Sequence, residues 1–125
     1  MIAADTSSLI NYLSGASTPD RPLVRAALEA QELCLPPPVV TELLAGVPRT
    51  AGLNALIENA PLMVLADGYW ERAGQNRHLL IAKGLKAKLA DALVAQCCID
   101  SDVPLIARDT DFRHFARWCG LKLVL

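Results

Sequence analysis

Short apolar runs alternate along the chain with stretches in which apolar residues recur every three or four positions, and that alternation predicts an α/β domain with a largely parallel sheet. Met1 to Ala4 reads as a minimal first strand. Asp5-Thr6-Ser7-Ser8 follows it, a cluster of side chains able to accept from free amides, and it should open a helix through Leu9, Ile10 and Leu13. Gly15 to Pro22 reads as a loop, Pro22 suits the first turn of a second helix through Leu23, Ala27 and Glu29, and Leu33-Cys34-Leu35 gives a second strand. Pro36-Pro37-Pro38 stops that strand and presets the entry of a helix from Val39 to Ala45, which Gly46 can end. A helix from Thr50 to Asn59, a strand from Leu62 to Leu65 and a helix from Gly68 to Ala82 follow, with Gly84 as the stop. Lys86 to Asp100 is an Ala-rich helix, Val103 to Ala107 a strand, Phe112 to Trp118 a short helix and Leu121 to Leu125 a terminal strand.

The 125 residues suit one domain spanning 1–125. Lys and Arg number 12 against 13 Asp and Glu, a net charge of -1, so a nucleic-acid contact has to be a local patch and not a general basic coat. With 53% hydrophobic residues, some apolar surface should be covered in an oligomer or a complex. No run approaches the roughly 18 apolar residues of a membrane span, and the start Met1-Ile2-Ala3-Ala4-Asp5 lacks the basic opening of an export signal, so the expected location is cytoplasmic, with no membrane partner. Cys34, Cys97, Cys98 and Cys119 form no C-x-x-C pair, and a zinc site from Cys97, His114 and Cys119 matches no common ligand spacing.

The chemistry resides in the acidic residues. Asp91 stands inside Leu89-Ala90-Asp91-Ala92-Leu93-Val94-Ala95, a run that should be buried, where an isolated carboxylate costs several kcal/mol unless paired or bound to a cation. A salt bridge to Lys86 or Lys88 is the structural alternative. Asp5 directly follows the first strand and serves equally as a helix cap; Glu42 sits early in a helix, where the dipole welcomes a carboxylate, yet between Val39, Val40, Leu43 and Leu44 it should meet little water. Asp109 and Asp111 follow a strand and precede a helix; one can cap it, and the other then needs a counter-charge. In a doubly wound sheet the ends of central strands converge, so Asp5 and Asp109 can meet with Glu42 and Asp91 reaching in from helices. Oxygen ligands in that number suit a hard cation, Mg²⁺ or Mn²⁺, which activates water and neutralises charge on a phosphodiester.

Four segments in this order, Ala4-Asp5-Thr6-Ser7-Ser8-Leu9-Ile10, Val39-Val40-Thr41-Glu42-Leu43-Leu44-Ala45-Gly46, Leu89 to Ala95, and Leu105-Ile106-Ala107-Arg108-Asp109-Thr110-Asp111-Phe112, together resemble a PIN-domain ribonuclease of the VapC toxin type over nearly the whole chain. The resemblance implies a three-layer α/β/α fold and a metal-dependent endoribonuclease. Asp5, Glu42, Asp91 and Asp109 would hold Mg²⁺ or Mn²⁺, with Asp111 an additional acid of the catalytic set and Ser7 a polar helper. It further implies an RNA substrate, a cognate antitoxin whose peptide enters near the acidic cleft, and a homodimer. One departure is Ala107, which stands where many relatives place Thr or Ser and so puts a hydroxyl contact there in question.

Lys88, Arg108 and Arg113, with Arg77, His78, Lys83, Lys86, His114 and Arg117 nearby, are candidates to hold substrate phosphates, or else form a solvated face. Tyr12, Tyr69, Trp70 and Trp118 are too few and scattered for a stacking platform and should belong to the core or an interface. Among other enzymes, an Asp-x-Asp phosphatase fails because only fourteen residues follow Asp111, and a phosphoacceptor receiver fails because Asp5 stands alone and Lys122 begins its strand. A binding module whose acids dock a partner's arginine is the remaining alternative.

Overall fold

The computed structural model describes all residues, 1–125. The chain runs β1 (Ile2–Ala4), α1 (Thr6–Ser14), α2 (Arg21–Glu29), β2 (Leu33–Cys34), α3 (Pro37–Gly46), α4 (Ala51–Asn59), α5 (Tyr69–Ala82), α6 (Leu89–Ser101), β3 (Leu105–Ile106), α7 (Phe112–Cys119) and β4 (Leu123–Val124). The four strands form one parallel sheet in the order β2-β1-β3-β4. In register, Ile2 faces Leu33, Ala3 faces both Cys34 and Leu105, and Leu105 faces Leu123. Connections that leave β1 and β3 toward opposite edges, each right-handed, put their helices on opposite faces, which yields the three-layer α/β/α arrangement.

The reversal of strand order between β1 and β3 opens a crevice beyond their carboxyl ends. Short side chains on the central strand, Ala3 and Ala4, are fully buried and let helices approach the sheet, while Leu9, Leu53, Leu80, Leu105, Ile106 and Phe115 fill the core around them. Helix α6 is buried on most sides, at Ala92, Val94, Ala95, Gln96, Cys97 and Cys98, and is fixed to α5 by polar contacts. Arg72 donates to both oxygens of Asp100 at 2.9 and 2.8 Å, Gln96 donates to Asp100 at 2.8 Å, and Asn76 donates to Gln96 at 2.7 Å. The Arg72 guanidinium holds the Asp100 carboxyl below its ordinary range. The buried Tyr69 hydroxyl donates to the Leu93 carbonyl at 2.6 Å, above the turn that carries Asp91. Tyr69→Phe is expected to cost about 1 kcal/mol in urea denaturation, since one hydrogen bond to a helix carbonyl is lost without loss of packing volume.

The strands expected at Val103–Ala107 and Leu121–Leu125 shorten to Leu105–Ile106 and Leu123–Val124, and three other expected elements differ more. The strand Leu62–Leu65 reduces to a single parallel bridge, Leu35 with Leu62. Leu62 and Val64 are 58% and 85% exposed, so the run never gains the second covered face that an inner strand needs. The helix expected from Lys86 starts at Leu89, because Lys88 is extended and the Arg77 guanidinium donates to the Ala87 carbonyl at 2.8 Å, holding that segment off the helix. The helix expected from Val39 begins two residues earlier, at Pro37, where a proline needs no amide partner. No helix is long and apolar enough to cross a membrane.

Candidate active site

At the crevice, a cleft of about 230 Å³ is lined by Asp5, Thr6, Ser7, Ile10, Glu42, Asp91, Val94, Asp109 and Phe112. Four acids from four separate stretches of sequence thus share one small space. Asp5 is brought there because it ends β1, Glu42 by the middle of α3, Asp91 by the first turn of α6, and Asp109 by the loop after β3.

Asp5 does cap α1, accepting from the Ser8 amide at 3.0 Å, and it also receives the Ser7 hydroxyl at 3.1 Å. Burial pushes its pKa above the ordinary value; hydrogen bonds from Ser8 and Ser7 oppose the rise and the charge of Asp109 adds to it. Capping and site membership therefore coincide in one side chain. Glu42 accepts the Thr6 hydroxyl at 2.7 Å, a bond that joins the start of α1 to α3. Thr6 is a site residue that the sequence reading passed over as part of a capping cluster; its signal is its place directly after Asp5. With Ser7 it supplies hydroxyls to the cleft, whereas Ala107 is buried and supplies none.

Asp91, Asp109 and Asp111 form the tightest group, each offering a carboxylate oxygen within 4.8 Å of the others. The buried Oδ2 of Asp91 accepts no hydrogen bond. Burial first, then the charge of Asp109, push its pKa up to about 6, against the pull of Lys88; Asp5 and Asp111 add to the rise. No ion pair forms on Asp91, so the salt bridge to Lys86 or Lys88 weighed from the sequence does not occur. Lys86 instead lies 4.0 Å from Asp111. Asp109 accepts from the Asp111 amide at 2.9 Å, while the Asp111 side chain caps nothing. Asp111 stands in the acid cluster but does not line the cleft. Lys88, Arg108 and Arg113 are exposed and also do not line it.

Three carboxylates this close, one with an orphaned buried oxygen, fit a hard divalent cation better than they fit one another.

The PIN domain model matches residues 2–117. No curated protein sequence matches the chain. Among solved structures, it is similar to VapBC2 from Rickettsia felis bound to a DNA fragment from the promoter, with a TM-score of 0.78, 18% identity, and 99% of this chain and 98% of that chain covered. A toxin-antitoxin complex from Klebsiella pneumoniae is similar at a TM-score of 0.72 and 22% identity, covering 100% of this chain and 97% of that one. VapBC-1 from nontypeable Haemophilus influenzae gives a TM-score of 0.74 at 19% identity, covering 99% and 97%. At such identities the likeness is one of fold. With the match of the PIN domain model over almost its full length, the chain belongs to the PIN domain family.

Proposed function

We propose that the chain is a metal-dependent endoribonuclease that acts as the toxin of a toxin–antitoxin pair. The observation that carries this reading is the orphaned buried oxygen of Asp91 beside Asp109 and Asp111, at the carboxyl ends of the central strands. In this reading Asp5, Glu42, Asp91 and Asp109 hold Mg²⁺ or Mn²⁺, Asp111 completes the acidic set, and Ser7 fixes the orientation of Asp5. When bound, the cation lowers the pKa of water and neutralises charge on the phosphodiester.

The chain's own groups do the rest. Thr6 holds one oxygen of Glu42, which leaves the other free for the cation. Ser7 and the Ser8 amide hold Asp5 at the end of β1, so its geometry is set before substrate arrives. Ile10, Val94 and Phe112 give the cleft apolar walls, which strengthen every charge interaction inside it. Lys88, Arg108 and Arg113, exposed around the acids, are proposed to draw RNA phosphates toward them.

The proposed protein partners are a cognate antitoxin and a second copy of the chain. For the latter, exposed Trp70 stands at a largely apolar groove of about 430 Å³ lined in part by Pro37, Pro38, Leu65 and Leu93. Glu42 lines this groove as well as the acidic cleft, so the proposed dimer contact adjoins the site.

The test is cleavage of single-stranded RNA by the purified protein with Mn²⁺ and with chelator. Cleavage should need the cation and should vanish in Asp5→Ala, whose lost cap costs only about 1 kcal/mol and leaves the protein folded. Cleavage that persists in chelator, or in folded Asp5→Ala, would sink the reading.

A further inference from the structure

Trp118, near the end of α7, is 42% exposed and carries two cations on its ring. The Lys83 Nζ lies 3.9 Å and the Arg117 guanidinium carbon 4.9 Å from the ring centroid. Neither cation has a carboxylate partner; only Arg25, Arg72, Lys86 and Lys122 lie within 4.0 Å of an acid. Two like charges gathered at one indole repel each other, and the ring's attraction for each, worth about 0.5–1 kcal/mol at an exposed position, only offsets that repulsion. An anion between them would remove it.

Lys86, three residues after Lys83, lies 4.0 Å from Asp111, which brings this surface near the acid cluster. Arg113, exposed and without an acid partner, stands one turn before Arg117. A basic stretch with one exposed aromatic, its ring held by two cations, therefore lies near the site that would hold the reacting phosphate. A polyanion with flat, stackable faces fits both features, and a single-stranded RNA has both at each nucleotide.

We propose that Lys83, Arg117 and Trp118 form an outer subsite for the RNA strand, holding one phosphate and its neighbouring base away from the bond that is cut. The proposal rests on the nuclease reading above. It assigns Trp118 a single stacking position, opened when Lys83 leaves the ring for the phosphate and tolerant of base identity, and not the multi-base platform that four scattered aromatics cannot make.

The experiment measures binding of a fluorescently labelled single-stranded RNA in chelator, across a salt series, then cleavage of the same RNA with Mn²⁺. The proteins are the parent, Trp118→Ala, and Lys83→Ala with Arg117→Ala. Each variant should bind about tenfold more weakly, and the double variant should flatten the slope of log affinity against log salt by roughly one unit. Under Mn²⁺, KM should rise while kcat at saturating RNA stays near that of the parent. The exposed cations guard against a folding artefact, since their loss removes no core contact. Unchanged affinity and salt slope in the double variant, with a parent that cleaves RNA, would overturn the subsite and leave the nuclease reading standing. A parent that neither binds nor cleaves RNA would overturn both.

Discussion

Asp91→Asn is expected to stop RNA cleavage, by at least roughly a thousandfold, and at the same time to raise the thermal stability of the metal-free protein. The two effects have opposite sign because the same charge serves function and burdens the fold. In the metal-free protein the Asp91 pKa is pushed up to about 6 by burial and by Asp109, so the folded state binds a proton more tightly than the unfolded chain does. Between the ordinary carboxylate value and about 6, the folded state holds the extra proton and stability falls as pH rises; above that window the full penalty of an ionised Asp91 is present. Asparagine has the same shape without the charge, and so removes the penalty. Circular-dichroism melts and a cleavage assay on one preparation check both effects. A less stable Asp91→Asn protein would mean that the carboxylate makes a favourable structural contact, contrary to its orphaned oxygen.

Divalent cation should stabilise the protein strongly near neutral pH and weakly in acid. A site holding cation at about 100 times its dissociation constant gains about 2.7 kcal/mol, which for a chain of this size raises Tm by roughly 10 °C. Protons compete at Asp91, so the rise seen with Mn²⁺ at about pH 7.5 should shrink markedly at about pH 5, on the low side of the folded pKa. Asp91→Asn should lose most of it at either pH. An equal rise at both pH values, or in Asp91→Asn, would place the cation somewhere other than this cleft.

The readable parts of the site were those that a local rule makes awkward. Asp91 stood out because a carboxylate interrupts a run of Leu, Ala and Val, and Asp5 and Asp109 because each follows a strand. Partnerships between distant segments were not readable. Thr6 donates to Glu42 across 36 positions, and nothing in either neighbourhood specifies that bond before α1 and α3 pack. Lys86 and Lys88 looked like partners of Asp91 by proximity along a helix, but the helix starts later than its composition suggests, and Lys86 turns to Asp111. The periodicity located the helices well, since their apolar stripes are long. It overstated Leu62–Leu65, where four apolar residues satisfy a strand pattern that the exposed Leu62 and Val64 do not use. Composition alone points Trp118 to the core or an interface; of the two cations at its ring, Arg117 is its neighbour in α7, and Lys83 is brought by the approach of α5.

Asp5 is at once the stop that launches the first helix and a wall of the acidic cleft. An aliphatic residue here removes the charge and loosens the opening turn together. Asparagine keeps an acceptor oxygen for the Ser8 amide and discards only the negative charge, so that swap separates the helix start from the proposed cation site.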